Sequence, residues 1–235
     1  MSDPSIVRIE RLDLKFAPQP WRFADQHRAA IDAHFASCRR EKPELWNGRV
    51  LVLRDRTISD GILRGSYFET DFASFMTWRD WGFPPADATD CFACSALRGA
   101  DGAFLVGVMG AHTANAGRVY FPSGTPDPDD VVDGRVDLDG SVRRELKEET
   151  GLDVAEFEAV PGWWAVIADP LLAMIKVLRA AEDAAALRAR ILANLARQRR
   201  PELADIRIVR GPADFDAMMP RYVSAYLTDV WAAAD

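Results

Sequence analysis

The chain contains Arg144-Glu145-Leu146-Lys147-Glu148-Glu149-Thr150-Gly151-Leu152, a segment that places three carboxylates at helical spacing just before a glycine. If this segment is helical, Glu145, Glu148 and Glu149 lie at i, i+3 and i+4, so their side chains leave the same side of one turn. Three carboxylates this close repel one another unless a cation lies between them. Oxygen ligands of this kind suit Mg²⁺ or Mn²⁺, so the segment predicts a metal site on a helix.

Composition and charge exclude several classes of protein. The chain has 235 residues, and 49% of them are hydrophobic, which is enough to bury a sizeable core. The net charge of -7 argues against non-specific nucleic-acid binding, which requires a surface rich in basic residues. No apolar run approaches the roughly 18 residues of a membrane span, and the N-terminus does not resemble a signal peptide. These features predict a cytoplasmic protein that binds neither nucleic acid nor membranes.

Hydrophobic patterning predicts strands interleaved with helices, and therefore an α/β layer architecture. The predicted strands are 6–16, 49–54, 62–69, 91–97, 103–109, 118–121, 157–160, 164–167, 174–178 and 206–209. The predicted helices are 22–40, 72–81, 181–200, 220–231 and the glutamate-bearing helix, which Gly151 ends. Asp137 and Asp139 are the two candidates for the N-cap of that last helix. Pro84-Pro85 marks the expected boundary between a region 1–85 and a region 86–235.

The cysteine pair and the acidic segment are interpreted as structural features and not as metal sites. Cys91-x-x-Cys94 lacks the second ligand pair of a structural zinc site, so these cysteines are expected to be core thiols on a strand. The acidic segment 125–134 is predicted to be a solvated loop. It fails the calcium-loop spacing of an EF-hand, because Val132 falls where the turn glycine belongs.

The glutamate segment resembles the second half of the Nudix box, which reads Arg-Glu-aliphatic-any-Glu-Glu-any-Gly-aliphatic. Every fixed position matches, namely Arg144, Glu145, Leu146, Glu148, Glu149, Gly151 and Leu152. The run 119–124, Val-Tyr-Phe-Pro-Ser-Gly, resembles the strand and Pro-Gly-Gly-like turn that precede this helix in the family. The resemblance covers about residues 86–231. It implies a Nudix-like α/β/α sandwich with a mixed sheet in 86–235, to which 1–85 would add an α+β extension.

The first half of the box does not match. Counting back from Arg144, the family's first glycine falls on Asp130 and its first glutamate on Val136. Taking Gly124 as the box glycine requires a short insertion, which the acidic segment can supply, and this is the interpretation we adopt. The family's first glutamate orients the box arginine, so a replacement carboxylate is needed. Asp137 and Asp139 are the candidates.

The resemblance implies a hydrolase that uses Mg²⁺ or Mn²⁺ to cleave the pyrophosphate linkage of a nucleoside diphosphate joined to another group. In this reading Glu145, Glu148 and Glu149 hold the metal, and Arg144 orients the glutamates. The Ser123 or Gly124 backbone carbonyl adds a ligand near the substrate.

The substrate is expected to be a nucleotide-type small molecule. The run Lys42-Pro43-Glu44-Leu45-Trp46-Asn47-Gly48-Arg49-Val50 resembles the Asn-Gly segment ahead of the Nudix domain in UDP-sugar pyrophosphatases. A nucleotide sugar is therefore the first candidate, followed by ADP-ribose and other dinucleoside diphosphates. Residues 1–85 are expected to shape the substrate site or to form a homodimer, with pure scaffolding as the alternative.

The second hypothesis is a catalytically inactive Nudix-fold module that binds or senses nucleotides. Its support is the missing glutamate at Val136. Against it stands the complete metal half of the box, which a pure binding module has little reason to keep.

Overall fold

The computed structural model describes residues 3–233, and within them the chain forms two β-sheets and five α-helices. The strands are β1 (Ser5–Ile9), β2 (Arg11–Phe16), β3 (Arg49–Ser59), β4 (Ile62–Asp71), β5 (Asp90–Arg98), β6 (Phe104–Met109), β7 (Val119–Tyr120), β8 (Ser123–Gly124), β9 (Val131–Val132), β10 (Arg135–Val136), β11 (Glu158–Ala159), β12 (Trp163–Ala168), β13 (Leu171–Arg179) and β14 (Leu203–Val209). The helices are α1 (Arg22–Glu41), α2 (Phe72–Asp80), α3 (Leu138–Thr150), α4 (Ala184–Leu195) and α5 (Arg221–Ala232).

The large sheet is mixed. Its main strands follow the order β1-β12-β13-β5-β6-β14, and the short strands β11, β7 and β8 pair with β13, β6 and β5. β13 and β5 run parallel, whereas the other pairs in this sheet are antiparallel. Helices α3, α4 and α5 pack against β5, β14 and β12. The α/β class with a mixed sheet is therefore confirmed, and its layers fit the expected α/β/α sandwich.

The small sheet has the order β3-β4-β2-β10-β9. Four predicted elements of this part of the chain are confirmed: 22–40 and 72–80 are helical, although Trp81 lies just past the second helix, and β3 and β4 form the expected hairpin. The predicted strand 6–16 is split at Glu10. β1 pairs with β12 of the large sheet, while β2 pairs with β4 of the small one.

Each sheet therefore takes strands from both sides of the expected boundary at residue 85. β1 belongs to the large sheet, and β10 extends the small sheet by pairing with β2. The boundary stays a prediction, but the two regions exchange strands across it.

The apolar residues form two cores, and β3 faces both. Leu51 and Leu53 belong to the larger core around the large sheet, whereas Val50 and Val52 belong to a smaller core. This alternation follows from the two-residue period of a strand. Every fully buried member of the smaller core lies within residues 21–78, where α1 and α2 cover the outer face of the small sheet.

The cysteines of β5 and the length of α4 bear on two local predictions from the sequence. Cys91 and Cys94 are buried on β5, as predicted for core thiols. The helix expected at 181–200 is shorter, because Asp183 caps it by accepting from the Ala186 backbone N–H and the last helical residue is Leu195. Across residues 3–233, no helix combines the length and apolar character that crossing a membrane requires.

Candidate active site

Helix α3 carries the carboxylate cluster. The Asp137 side chain caps its first turn by accepting from the Gly140 backbone N–H at 2.9 Å. Gly151 ends the helix in the left-handed conformation at φ 76°, which glycine adopts at little cost. Leu138, Val142 and Leu146 are buried against the large sheet. That apolar face fixes the rotation of the helix and turns Glu145 and Glu148 toward a cavity.

The three glutamates differ in their exposure to solvent. Glu149 is 1% exposed, the Glu145 side chain is 12% exposed and the Glu148 side chain is 61% exposed. Burial raises the pKa of Glu149 well above its usual range, and the charges of Glu202 and Glu145 raise it further. One oxygen of this carboxylate, Oε2, is buried and has no hydrogen-bond partner within residues 3–233. The innermost glutamate thus offers an unpaired acceptor to a cation.

Glu145 lies directly against β8. A Cβ atom built on Gly124 would come within 2.0 Å of Glu145 Oε1, so only a glycine leaves room for the carboxylate in this place. Burial raises the pKa of Glu145 to about 7, although the charge of Arg144 acts in the opposite direction. The structure therefore brings the Ser123-Gly124 turn and the glutamate helix together, as the sequence predicts.

Arg144 is held by a set of carboxylates. Its Nη2 atom donates to Asp130 Oδ2 at 2.8 Å, and its Nη1 atom donates to Glu145 Oε1 at 2.7 Å. Asp127 lies 3.4 Å from the same guanidinium. Together these charges raise the pKa of Arg144 even though burial lowers it. The arginine is thereby fixed so that it positions Glu145.

The acidic-segment carboxylates that contact Arg144 are Asp130 and Asp127, so the expectation that Asp137 or Asp139 orients this arginine was wrong. Asp137 is occupied as the helix cap, and Asp139 pairs with Lys176 at 3.0 Å. Val136 lies in the core instead.

The acidic segment 125–134, expected to be a solvated loop, is folded. It contains a 3₁₀ turn, Pro128–Asp130, followed by the β9–β10 hairpin. Asp127 and Asp130 close the two ends of that turn as a reciprocal capping box. The run Asp127-Pro128-Asp129-Asp130 is the sequence signal that could have revealed this turn.

Glu202 is a fourth carboxylate at the site, and sequence reasoning missed it. It lies one residue before β14 and lines the same cavity as Glu145 and Glu148. Burial raises its pKa, whereas the neighbouring His112 lowers it. Its place depends on the pairing of β14 with β6, which no local pattern around Pro201-Glu202-Leu203 announces.

The carboxylates lie at one part of a cavity of about 700 Å³. The region 86–235 contributes one side of it, including Arg118, Tyr120, Glu145, Glu148 and Glu202. The region 1–85 contributes the facing wall, which comprises Trp46, Gly48, Arg49, Val50, Phe72, Phe75, Arg79 and Phe83. Three arginines therefore line the cavity of a protein whose net charge is -7.

Side-chain hydrogen bonds tie this wall to the loop between β6 and β7. Arg79 Nη1 donates to Asn115 Oδ1 at 3.2 Å, and Asn115 Nδ2 donates to the Tyr120 hydroxyl at 3.0 Å. Lys42 Nζ donates to the Thr113 carbonyl at 2.5 Å. The two sides of the cavity are thus held in a fixed relation.

The donor set fits a hard divalent cation. Its side-chain ligands are carboxylate oxygens, which Mg²⁺ and Mn²⁺ prefer. The unpaired Glu149 oxygen and the space that Gly124 leaves beside Glu145 are both features that a bound cation would use.

No protein-family model and no curated protein matches the chain. Similar solved structures include a Nudix hydrolase from M. smegmatis, with 17% identity and a TM-score of 0.39, covering 62% of this chain and 86% of the other. A MutT protein from Methanosarcina mazei Go1 has 17% identity and a TM-score of 0.44, covering 63% and 96% of the two chains. A bifunctional NMN adenylyltransferase/ADP ribose pyrophosphatase from Francisella tularensis, complexed with AMP and a manganese ion, has 11% identity and a TM-score of 0.41, covering 68% and 47%.

Proposed function

We propose that the protein is a Nudix-type pyrophosphohydrolase that cleaves a nucleoside diphosphate linked to another group. One observation carries this proposal. Three glutamates share one turn of α3, with Glu145 against Gly124 and Arg144 held by Asp127 and Asp130, at the edge of a cavity that can hold a nucleotide-sized ligand.

In this proposal Glu145, Glu148 and Glu149 hold Mg²⁺ or Mn²⁺. A bound ion of this kind supplies neutralisation of phosphate charge and activation of water. Arg144 fixes the orientation of Glu145 by a charge-assisted hydrogen bond. Arg49, Arg79 and Arg118 line the cavity and offset the negative field around the diphosphate.

The reaction adds water across the P–O–P linkage. Oxygen from water forms a bond to one phosphorus while the bond from that phosphorus to the bridging oxygen breaks. Glu148 is the most exposed of the three glutamates and lines the cavity, so it is suited to position the water and accept its proton.

A nucleotide sugar is the first candidate substrate. The cavity volume lies within the range of sites for small organic ligands, and its aromatic wall from the region 1–85 gives rings a surface to pack on. We propose that this region shapes the substrate site. ADP-ribose and other dinucleoside diphosphates are the next candidates.

The test is an assay of the purified protein with Mg²⁺ against UDP-glucose, GDP-mannose, ADP-ribose, a dinucleoside diphosphate and nucleoside triphosphates. We expect turnover of at least one diphosphate-linked compound, no turnover with EDTA, and a loss of at least ~100-fold in kcat for Glu149→Gln. Glu158→Gln, on the exposed strand β11, is the matched control and should keep full activity. Absence of turnover on every compound, with ligand binding indifferent to Glu149→Gln, would favour the inactive binding module instead.

A further inference from the structure

Asp90, the first residue of β5, is a buried carboxylate that no part of the proposed reaction uses. It is 6% exposed, it lines the cavity, and its Oδ1 atom has no hydrogen-bond partner in the part of the chain that the structure describes. Buried polar atoms in folded proteins almost always have a partner, because an unpaired one loses its hydration without compensation. Because Asp90 also lines the cavity, a ligand bound there can supply the partner that the chain does not.

The strand places Asp90 beyond the reach of the phosphates. Asp90, Phe92 and Cys94 alternate along the same side of β5, and Cys94 pairs with Ser123 next to the glutamates. Four residues of strand span roughly 13 Å, which is farther than the two phosphorus atoms of a bound diphosphate extend. A diphosphate at the glutamates therefore leaves Asp90 to contact the group attached to it.

The surroundings of Asp90 suit a ring. Phe92 and Tyr222 form an edge-to-face pair with ring centroids 5.4 Å apart, and both line the cavity. Phe75 and Leu171 line it as well. Among the described residues no side chain forms a salt bridge or hydrogen bond with the Asp90 carboxylate. The nearby Arg79 is directed to Asn115 and Asp80 instead.

We propose that Asp90 is the recognition residue of a subsite for the ring attached to the diphosphate, and that this ring donates hydrogen bonds from N–H or O–H groups to the carboxylate. The inference rests on the proposed function, since it takes the diphosphate to bind at the glutamates. A nucleobase and a sugar both offer such donors on a ring. A site built around an acceptor discriminates strongly against rings that lack the donor, because the acceptor then stays unpaired.

The test measures binding by calorimetry with the wild-type protein as the parent, and Ca²⁺ replaces Mg²⁺ to suppress turnover while the carboxylates stay intact. Asp90→Leu is compared with the parent and with Asp32→Leu, a control that removes an exposed carboxylate on α1. The probes are UDP-glucose with UDP, GDP-mannose with GDP, ADP-ribose with ADP, and inorganic pyrophosphate, which has no ring. Because binding is read separately, a wild-type protein without turnover would count against the proposed hydrolase and leave this comparison intact.

We expect Asp90→Leu to lose roughly tenfold or more in affinity for at least one ring-bearing probe and to keep the parent's affinity for pyrophosphate. An equal loss of affinity for a nucleotide sugar and for the corresponding nucleoside diphosphate would assign Asp90 to recognition of the nucleoside. A loss confined to the nucleotide sugar would assign it to the sugar. The proposal is overturned if Asp90→Leu leaves the affinity for every probe unchanged, or if it weakens pyrophosphate binding as much as nucleotide binding. It is also overturned if the parent protein binds no nucleotide more tightly than it binds pyrophosphate.

A second measurement separates recognition from a structural role. Replacing a residue that stabilises the fold lowers the melting temperature of the free protein, whereas replacing an unpaired acceptor does not. Thermal unfolding without ligand should give Asp90→Asn a melting temperature equal to or above that of the wild type. A lower melting temperature for Asp90→Asn would count against recognition as the reason for this carboxylate.

Discussion

Arg144 shows at the scale of one residue how the chain holds an arginine at the carboxylate cluster without a glutamate at position 136. The valine at position 136 cannot accept a hydrogen bond, and Asp130 accepts from the guanidinium instead, from a turn six residues earlier in the chain. Burial raises the pKa of Asp130, while the hydrogen bond from Arg144 lowers it. The pair is partly buried, and removing one partner of such a pair leaves the other uncompensated.

Asp130→Asn is expected to lower kcat by roughly tenfold or more with little change in KM, because Arg144 then loses the shorter of its contacts with Asp130 and Asp127 and no longer fixes Glu145. Asp127→Asn should act in the same direction but more weakly, since Asp127 lies farther from the guanidinium. Steady-state kinetics and Mn²⁺ affinity by electron paramagnetic resonance measure both effects. Asp139→Asn is the matched control, and an equal loss in that variant would contradict the assignment.

Asp90 should also give stability a recognisable pH dependence. Burial raises its pKa from 3.8 to about 6, so the folded protein binds the proton more tightly than the unfolded chain. The resulting penalty on stability is absent below about pH 4, grows as the pH rises to about 6 and is complete above that, at about 3 kcal/mol. Asp90→Asn removes the charge. Its free energy of unfolding minus that of the wild type should therefore increase between pH 4 and pH 7, and a difference independent of pH would refute this account.

The residues that sequence reasoning located and those that it missed differ in one physical respect. Glu145, Glu148 and Glu149 share a single helical turn, so their spacing alone predicts a common face. Asp90 and Glu202 reach the cavity from the starts of two strands, through the pairing of those strands with distant partners. A single carboxylate beside a hydrophobic run carries no local sign of burial.

At the scale of secondary-structure elements, the site depends on the close approach of β8 and α3. The Cβ that Gly124→Ala would add lies 2.0 Å from Glu145 Oε1 and 2.2 Å from its Cδ, so the carboxylate must move. We expect Mn²⁺ affinity to fall roughly tenfold while the melting temperature changes little, because the obstructed group is the end of a flexible side chain. Gly211→Ala is the matched control, since nothing lies within 4 Å of its Cβ position. Unchanged metal affinity in Gly124→Ala would exclude Glu145 from the metal site.

Elements with strong local signals were predicted well, and elements defined by their partners were not. α1, α2, α5 and the β3–β4 hairpin follow from periodicity and turn residues. The split of 6–16 into two strands could not be predicted, because the pattern of a strand does not specify which sheet it joins. The two-residue strands β9 and β10 exist only through pairing with each other and with β2.

At the scale of the whole molecule, each of the two regions contributes strands to the sheet of the other. Residues 1–85 are therefore needed to complete the fold of residues 86–235. Without them β12 loses its partner β1, and β10 loses β2. The large core also loses Leu14, Leu51, Leu53, Leu63 and Tyr67, which are all buried. The expected boundary near Pro84-Pro85 therefore does not separate two independent hydrophobic cores.

A variant containing only residues 86–235 is expected to lack a cooperative thermal transition and to aggregate, because it exposes an unpaired strand edge and apolar surface. Circular dichroism melting and size-exclusion chromatography measure both properties. Co-expression of residues 1–85 as a separate chain should restore a soluble complex. If the fragment alone melted cooperatively near the temperature of the full chain, residues 86–235 would be an autonomous domain.

The pairing of β1 with β12 also sets an order of assembly during translation. β1 leaves the ribosome well before β12, and its partner is made only after the more than 150 residues between them have followed. Meanwhile α1, α2 and the β3–β4 hairpin can pack around the small core as soon as they emerge. The wall that faces the glutamates is thus available before the glutamates themselves are synthesised, and the large sheet closes onto it last. An interrupted polypeptide would therefore contain the wall of the cavity but none of the groups proposed to carry out hydrolysis.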